Sequence, residues 1–299
     1  MKGVFMQDSR RAGALAALAT YLIWGVLPLY WNFLAAADAW EILAHRIVWS
    51  FVFMLCVLAC TGRWQTFCAD CRTLWRDKRR GGVLILAALF VSMNWLTYIW
   101  AVNHNHVIDT SIGYYINPLM SVLFGVVFFR ERLAGLQKIS VALAACGIAI
   151  LTWELGSLPW IALVLAVTFA TYGALKKQLC LNPFSSITLE TLLLLPVAFP
   201  YVAYCVMGEG NHFSLATPGL ALLLMGTGVA TAVPLVLFSY GANLLPLSVL
   251  GFFQYISPTI ALLLGIFFFR EPFGAAQAAA LAFIWAGIAL FMGVERLRR

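Results

Sequence analysis

GYYINPLMSVLFGVVFFRERLAG (residues 113–135) and FFQYISPTIALLLGIFFFREPFG (residues 252–274) are two copies of one segment. A shift of 140 residues superposes their identical positions. The matched pairs are Tyr115 and Tyr255, Ile116 and Ile256, Pro118 and Pro258, Gly125 and Gly265, Phe128-Phe129 and Phe268-Phe269, and Arg130-Glu131 and Arg270-Glu271. The same shift takes Asn103 to Asn243 and Gly147 to Gly287, so the repeat extends beyond the quoted segments. The sequence therefore predicts two related halves.

The composition indicates what these halves are made of. Of the 299 residues, 63% are apolar and 10% are charged, and the mean hydropathy is +0.91. A soluble domain has about a quarter of its residues charged, so this chain is predicted to lie in a membrane. A helix needs about 20 apolar residues to cross the hydrocarbon, and the apolar runs predict ten such helices. They are expected near residues 12–34, 40–61, 82–102, 109–129, 135–153, 158–176, 184–206, 218–241, 246–269 and 274–294.

The ten predicted helices divide into five in each half. Because five is an odd number, the chain leaves the first half on the side opposite to its start, and the second half must enter the membrane from that side. The predicted fold is thus an all-α membrane protein of ten transmembrane helices arranged as two inverted five-helix repeats. This architecture is typical of transporters, whose binding site lies at the repeat interface near the midplane. The chain is divided into residues 1–11, a first repeat over 12–153, a second over 154–294, and a basic terminus over 295–299.

The basic residues predict the orientation. Seventeen of the nineteen Lys and Arg residues precede the first helix, follow the last, or lie in the loops after predicted helices 2, 4 and 6. Loops rich in Lys and Arg stay in the cytoplasm, so both termini are expected there. The net charge of +7 is explained by loops beside anionic lipid headgroups and requires no nucleic-acid partner.

Few formally charged side chains are predicted to lie inside the bilayer. They are Arg46 and Glu190, and each costs several kcal/mol unless it is paired or hydrated. Arg46 either snorkels toward Glu41 or Asp38, or faces a cavity and attracts a carboxylate or organic anion. Glu190 either titrates in a proton-coupled cycle or satisfies polar backbone near the inner surface. His45 either packs against a neighbouring helix or takes part in proton transfer.

Aromatic and amide side chains in the predicted helices suggest an aromatic cavity with a few polar groups, which suits amphipathic, uncharged or zwitterionic organic solutes such as amino acids, metabolites or drugs. The candidate cavity residues are Trp24, Arg46, Asn94, Tyr98, Tyr114, Tyr115, Tyr172, Tyr240, Asn243, Gln254 and Tyr255. Pro118 and Pro258 are candidate hinges, because each removes one helical hydrogen bond in mid-membrane; the alternative is a simple packed kink.

Other classes of protein find little support in the sequence. The pair Cys68 and Cys71 has metal-ligand spacing, but no second pair lies nearby, so no metal site or cofactor is expected. An intramembrane enzyme would need paired acids, HExxH, or a nucleophile with its base, and none of these patterns is present. A channel or scaffold does not account for prolines at matched positions of the two repeats. A small-molecule transporter is the favoured interpretation.

Three strings make the prediction more specific. EILAHRIVWS (41–50), NWLTYIWAVNHNHVIDTSIGYYINPL (94–119) and LGFFQYISPT (250–259) resemble the RarD branch of the EamA-type drug/metabolite transporter superfamily. The resemblance runs from about residue 10 to the C-terminus. It implies two inverted five-helix repeats in a bacterial inner membrane, with a cavity lined by predicted helices 1, 3, 4, 6, 8 and 9. It also implies that Arg46 occupies a recurrent family position, and it leaves the substrate open.

Overall fold

The structure, a computed structural model, describes residues 2–104, 107–154, 160–208, 212–214, 216–268 and 274–297. The regular structure in these ranges is helical, which confirms the predicted all-α fold. The helices are α1 (Lys2–Asn32), α2 (Ala39–Cys60), α3 (Trp64–Arg76), α4 (Lys78–Asn103), α5 (Val107–Phe129), α6 (Gly135–Glu154), α7 (Trp160–Leu179), α8 (Pro183–Met207), α9 (Pro218–Leu244), α10 (Leu247–Gln254), α11 (Ile256–Phe267) and α12 (Ala275–Leu297).

Ten membrane crossings are present in the described part of the chain. Nine segments are long and apolar enough to span a membrane, and Gly113–Phe129 in α5 is a shorter apolar helix. One of the nine, Leu247–Leu264, is shared between α10 and α11. These ten segments correspond to the ten predicted helices. The helix α3 was not predicted.

Local sequence signals fix several helix ends. Asp38 precedes α2, and its carboxylate accepts a hydrogen bond from the Trp40 amide at 2.8 Å. Asn182 precedes α8 and accepts one from the Phe184 amide at 3.0 Å. Both contacts satisfy amides that have no partner within the helix.

The helix α3 is amphipathic and lies at one end of the bundle. Leu74 is buried against Leu84, Leu179 and Leu181, which fixes the helix to α4 and to the end of α7. We call this end, where α1 begins and α2 ends, the basic end. Its exposed basic residues include Arg63, Arg72, Arg76, Lys78 and Arg79.

The contact between α6 and α12 shows that the repeats are inverted. A Cβ atom added to Gly147 would lie 2.6 Å from the carbonyl oxygen of Ala280, and one added to Gly287 would lie 2.7 Å from that of Ser140. Gly287 and Ala280 are the repeat counterparts of Gly147 and Ser140. The two contacts are therefore equivalent, and they require α6 and α12 to run antiparallel. A two-fold axis that relates antiparallel transmembrane helices lies in the membrane plane.

The remaining contacts between the repeats follow the same symmetry. The helix α1 packs against α9 and α11, whereas its counterpart α7 packs against α4 and α5. The helices α2 and α8, which are counterparts, pack against each other, and so do α5 and α10. The space enclosed between these pairs lies at the repeat interface.

The two proline-containing copies have different local structures. The helix α5 continues through Pro118, whereas the second copy breaks at Tyr255, between α10 and α11. Pro258 is the third residue of α11, where the missing amide costs little because first-turn amides have no helical partner. The two prolines predicted as hinges thus occupy non-equivalent positions in their helices.

Candidate functional site

A cavity of about 210 Å³ lies between the repeats. It extends from the middle of the bundle toward the end opposite the basic end, because α1 and α4 contribute residues from their second halves and α5 from its first half. The lining residues are Tyr21, Trp24, Leu27, Pro28, Trp31, Arg46, Asn94, Trp95, Tyr98, Tyr114, Asn117, Phe169, Thr231, Leu235, Gln254, Ser257, Pro258 and Ala261.

Several of the predicted site residues meet at this cavity. Trp24, Arg46, Asn94, Tyr98, Tyr114, Gln254 and Pro258 line it. They come from α1, α2, α4, α5, α10 and α11, so both repeats contribute. The rings of Tyr98 and Tyr114 lie 5.9 Å apart and form part of the aromatic wall.

Five other predicted cavity residues lie away from the lining. Tyr115 and Tyr255 are buried in the core, and the Tyr115 hydroxyl lies 3.4 Å from the Pro258 carbonyl oxygen. Tyr240 is exposed on α9. Asn243 donates a hydrogen bond to the Leu181 carbonyl at 2.9 Å, and so joins the ends of α9 and α7. Tyr172 is buried against Phe238, on the side of the cavity that faces the basic end.

Arg46 is the most unusual group of the cavity. Its guanidinium carbon lies 4.9 Å from the ring centre of Trp31 and 5.2 Å from that of Trp95. Its Nε donates a hydrogen bond to Thr231 Oγ1 at 3.0 Å. Among the described residues, no carboxylate lies within 4.0 Å of the guanidinium. Arg46 is thus held by aromatic faces and one hydroxyl, and its charge has no partner of opposite sign there.

The amides of the cavity differ in how far the protein satisfies them. Asn94 donates to the Leu165 carbonyl and to Thr168 Oγ1, both at 2.9 Å, which joins α4 to α7. Gln254 donates to Ser121 Oγ at 3.0 Å, which joins α10 to α5. The Oδ1 atom of Asn117 is buried without a hydrogen-bond partner. Asn94 and Gln254 therefore connect helices, and Asn117 retains an unused acceptor.

An aromatic layer separates the cavity from the basic end. Phe238 lies at its centre and contacts the rings of Tyr21, Trp24, Phe169 and Tyr172 at centroid distances of 6.5, 5.9, 5.4 and 5.7 Å. Side chains of α1, α7 and α9 thus close the cavity on this side.

A buried ionic cluster lies between this aromatic layer and the basic end. Glu190 Oε1 accepts hydrogen bonds from Lys176 at 2.5 Å and from Ser186 at 2.8 Å. Its Oε2 accepts one from the Tyr172 hydroxyl at 2.9 Å. Lys176 was counted among the basic residues of the loop after predicted helix 6. In the structure α7 extends to Leu179, and Lys176 is 2% exposed. The charge pair explains how Lys176 and Glu190 are both accommodated in the bundle.

His45 belongs to a separate cluster near the opposite end. Its Nδ1 accepts a hydrogen bond from Trp49 Nε1 at 3.0 Å, so its proton lies on Nε2, which is buried without a partner. One turn earlier, Glu41 contacts His212 Nδ1 at 2.8 Å. His45 does not line the cavity. In the part of the chain that the structure describes, no group of three metal-ligating side chains is found.

Eleven of the 18 lining residues were not predicted as site residues, among them Trp31, Trp95, Asn117 and Thr231. The ring of Trp31 lies against Arg46. Trp95 and Asn117 adjoin the predicted positions Asn94 and Pro118, and Thr231 accepts the hydrogen bond of Arg46 Nε. Helical spacing could have indicated Trp31, because it lies seven residues after Trp24, two turns along the same face of α1.

Comparisons with known proteins agree with this architecture. The model of the EamA-like transporter family matches residues 11–153 and 158–293. The chain is 43% identical to the uncharacterized transporter YojE of Bacillus subtilis, over 94% of this chain and 93% of that protein. It is 40% identical to the protein RarD of Escherichia coli, over 94% of both chains. It is also 30% identical to the chloramphenicol-sensitive protein RarD of Pseudomonas aeruginosa, over 93% of this chain and 92% of that protein.

A solved structure, described only as a crystal structure of a protein, has the same fold. It superposes with a TM-score of 0.71 at 17% sequence identity, covering 97% of this chain and 99% of that chain. At this identity the likeness concerns the fold alone.

Proposed function

This chain belongs to the EamA-like transporter family, as its resemblance to the RarD branch indicated, and we propose that it is a secondary transporter of small amphipathic organic solutes that carry an anionic group. The solute would occupy the cavity between the repeats and be released by alternating access. Amino acids, other carboxylate metabolites and anionic drugs belong to this chemical class.

One observation carries this proposal: among the described residues that line the cavity, Arg46 has the single formally charged side chain. A guanidinium within a membrane protein costs several kcal/mol unless it is paired or hydrated. Only its Nε has a hydrogen-bond partner among the described residues. The two terminal nitrogens can therefore donate in parallel to a carboxylate or a similar planar anion. A bound anion would supply the missing partner of Arg46.

The walls of the cavity suit the rest of such a solute. Trp24, Trp95, Tyr98 and Tyr114 offer flat apolar faces, and Asn117 offers a hydrogen-bond acceptor. A volume of about 210 Å³ is enough for several water-sized groups. This space favours a compact solute over a long-chain lipid.

The proposed location is a bacterial inner membrane with the basic end in the cytoplasm. Exposed Lys and Arg residues are concentrated at that end and favour its location in the cytoplasm, even when the buried Lys176 is not counted. The described cavity would then face the outside of the cell, while the aromatic layer closes it from the cytoplasm. Both termini would be cytoplasmic.

Two buried titratable groups are proposed as sites of proton coupling, His45 and Glu190. Neither contacts the cavity, so protonation would have to act through helix packing. Glu190 would do so through its bond to Tyr172, whose ring belongs to the aromatic layer.

The test is a ligand-stabilisation screen of the purified protein with matched pairs of solutes, each pair consisting of a carboxylate and its neutral amide. A ligand at 100 times its dissociation constant stabilises the folded state by about 2.7 kcal/mol. Carboxylates should raise the melting temperature and their amides should not. Counterflow of a positive solute in proteoliposomes then tests transport. Equal effects of acids and amides, or binding without counterflow, would contradict the proposal.

A further inference from the structure

The repeated Arg-Glu motif that follows α5 forms a sharp turn. Arg130 takes a left-handed backbone conformation with φ of 53°, which is unfavourable for a residue with a Cβ atom. This conformation lets the Glu131 amide donate to the Gly125 carbonyl at 3.1 Å. The turn directs the Glu131 side chain back along α5, toward the second repeat.

The Glu131 carboxylate caps the first turn of α10. Oε1 accepts a hydrogen bond from the Leu247 amide at 2.6 Å, and Oε2 accepts one from the Ser248 amide at 2.9 Å. Pro246, the residue that precedes α10, has no side chain able to cap these amides. A negative charge at a helix N-terminus is also favoured by the helix dipole. A residue of the first repeat thus supplies the cap of a helix in the second.

The surroundings of Glu131 are closely packed. A Cβ atom on Gly125 would lie 2.7 Å from Glu131 Oε2, so this contact needs glycine at position 125. Lys177 Nζ lies 3.8 Å from Glu131 Oε1, and it also donates to the carbonyl of Leu245. The Glu131 carboxylate, just after α5, and the Lys177 ammonium group of α7 therefore hold the segment between α9 and α10 at the basic end.

The position of this contact suggests its role, on the premise that the protein transports by alternating access. The described state is closed toward the basic end. Opening that end requires the repeats to separate there, and the bonds from Glu131 to α10 join the two repeats at that place. We propose that Glu131 is the latch of the closed basic end, and that releasing it from the α10 amides opens the cavity to that side. Its repeat counterpart, Glu271, lies outside the described residues.

Side-specific labelling of cysteines tests the latch without any solute. The seven native cysteines are all at least partly exposed, so they can be replaced by serine to give a background without thiols. Ser257→Cys reports on the cavity. Ala242→Cys, fully buried in α9 beyond Phe238 toward the basic end, reports on the closed side. A membrane-impermeant maleimide is applied to each side of the membrane in turn.

In the wild-type background we expect Ser257→Cys to react from the side opposite the basic end, and Ala242→Cys to react from neither side. Glu131→Gln should raise the labelling of Ala242→Cys from the basic side about tenfold. Weakening a hydrogen bond to a charged acceptor changes the equilibrium between closed and open states by about that factor or more. The labelling of Ser257→Cys from the opposite side should fall. Glu131→Asp keeps the charge on a shorter side chain and should give a smaller change in the same direction.

The control is Arg132→Gln, which alters an exposed charge one residue away and should leave both labelling rates unchanged. If Glu131 only stabilised α10, both Glu131 variants would lower the melting temperature while the two labelling rates kept their ratio, and the latch would be refuted. The outcome is independent of the solute screen. If no carboxylate stabilised the wild-type protein but Glu131→Gln still shifted the labelling ratio, the proposed substrate class would be refuted and the latch retained.

Discussion

Lys176 and Glu190 form an ion pair 2.5 Å long between α7 and α8, with side chains only 1% and 4% exposed. Removing one partner of a buried pair leaves an uncompensated charge and costs about 3–5 kcal/mol. We expect Lys176→Met or Glu190→Gln alone to lower the melting temperature strongly. The double variant should be more stable than the sum of the two losses implies. Thermal unfolding in detergent measures all three, and Lys138→Met, at an exposed position of the basic end, is the control. Strictly additive losses would contradict the pairing.

Arg46 should determine solute affinity through its charge. Arg46→Ala removes the guanidinium and should weaken the binding of a carboxylate solute by about 10–100-fold, which corresponds to one or two charge-assisted hydrogen bonds. Arg46→Lys keeps the charge without the planar fork and should retain part of the affinity. Thr231→Val removes the acceptor of Nε and should have a smaller effect. Stabilisation by the solute and counterflow are the measurements. Normal transport by a folded Arg46→Ala variant would show that the residue serves the packing of α2.

Gly147 and Gly287 should be equally intolerant of a methyl group. An added Cβ would lie 2.6 Å from one backbone carbonyl oxygen and 2.7 Å from the equivalent one, and such overpacking costs about 1–3 kcal/mol. Gly147→Ala and Gly287→Ala should therefore lower the melting temperature by similar amounts. Gly293→Ala is the matched control, because nothing lies within 4 Å of its added Cβ, and alanine favours a helix over glycine by about 1 kcal/mol. Clearly unequal decreases in melting temperature would show that Gly147 and Gly287 do not have equivalent environments.

The two repeated prolines should respond differently to substitution. Pro118→Ala would let the amide of residue 118 bond to the Tyr114 carbonyl within the continuous helix α5. We expect this variant to fold normally, to turn over more slowly, and to shift side-specific cysteine labelling. Pro258→Ala lies in the first turn of α11, where the new amide finds no partner in that helix, so its effect should be small. Equal and opposite shifts would mean instead that the two prolines are equivalent hinges.

The orientation is open to a direct test. A reporter placed at Asp77, in the exposed turn between Arg76 and Lys78, should indicate the cytoplasm, because basic residues flank it on both sides. A reporter inserted beside His212, between α8 and α9, should indicate the opposite side. The reverse pattern would mean that the described cavity faces the cytoplasm.

The crossings could be predicted because lipid imposes a length and an apolar composition on each one. The second crossing was expected at residues 40–61 and is found at Ala39–Cys60. The helix α3 escaped prediction because its 13 residues, which include Asp70, Arg72 and Arg76, are too few and too polar to span a membrane. The break at Tyr255 also escaped, because the sequence draws attention to Pro258, whereas the chain interrupts the helix one turn earlier.

The site was harder to predict, because the partner of each polar group lies far away in sequence. Whether Arg46 faces a cavity depends on Trp31, Trp95 and Thr231, which come from three other helices. Lys176 resembled a loop residue until Glu190, on the next helix, was seen to neutralise it. Amphipathic periodicity gives little help here, because a membrane helix is apolar on its lipid-facing side as well as on its packed side.

The reciprocal glycine contact of α6 and α12 has a consequence for the assembly of the chain. A surface that meets its own copy across a two-fold axis is the kind of interface that homodimers use, and here both copies belong to one polypeptide. The covalent connection between the halves raises their effective concentration but contributes none of the contacts between Gly147, Gly287 and their neighbours. Two separately synthesised halves, inserted in opposite orientations, should therefore recognise each other in the bilayer and restore the complete fold.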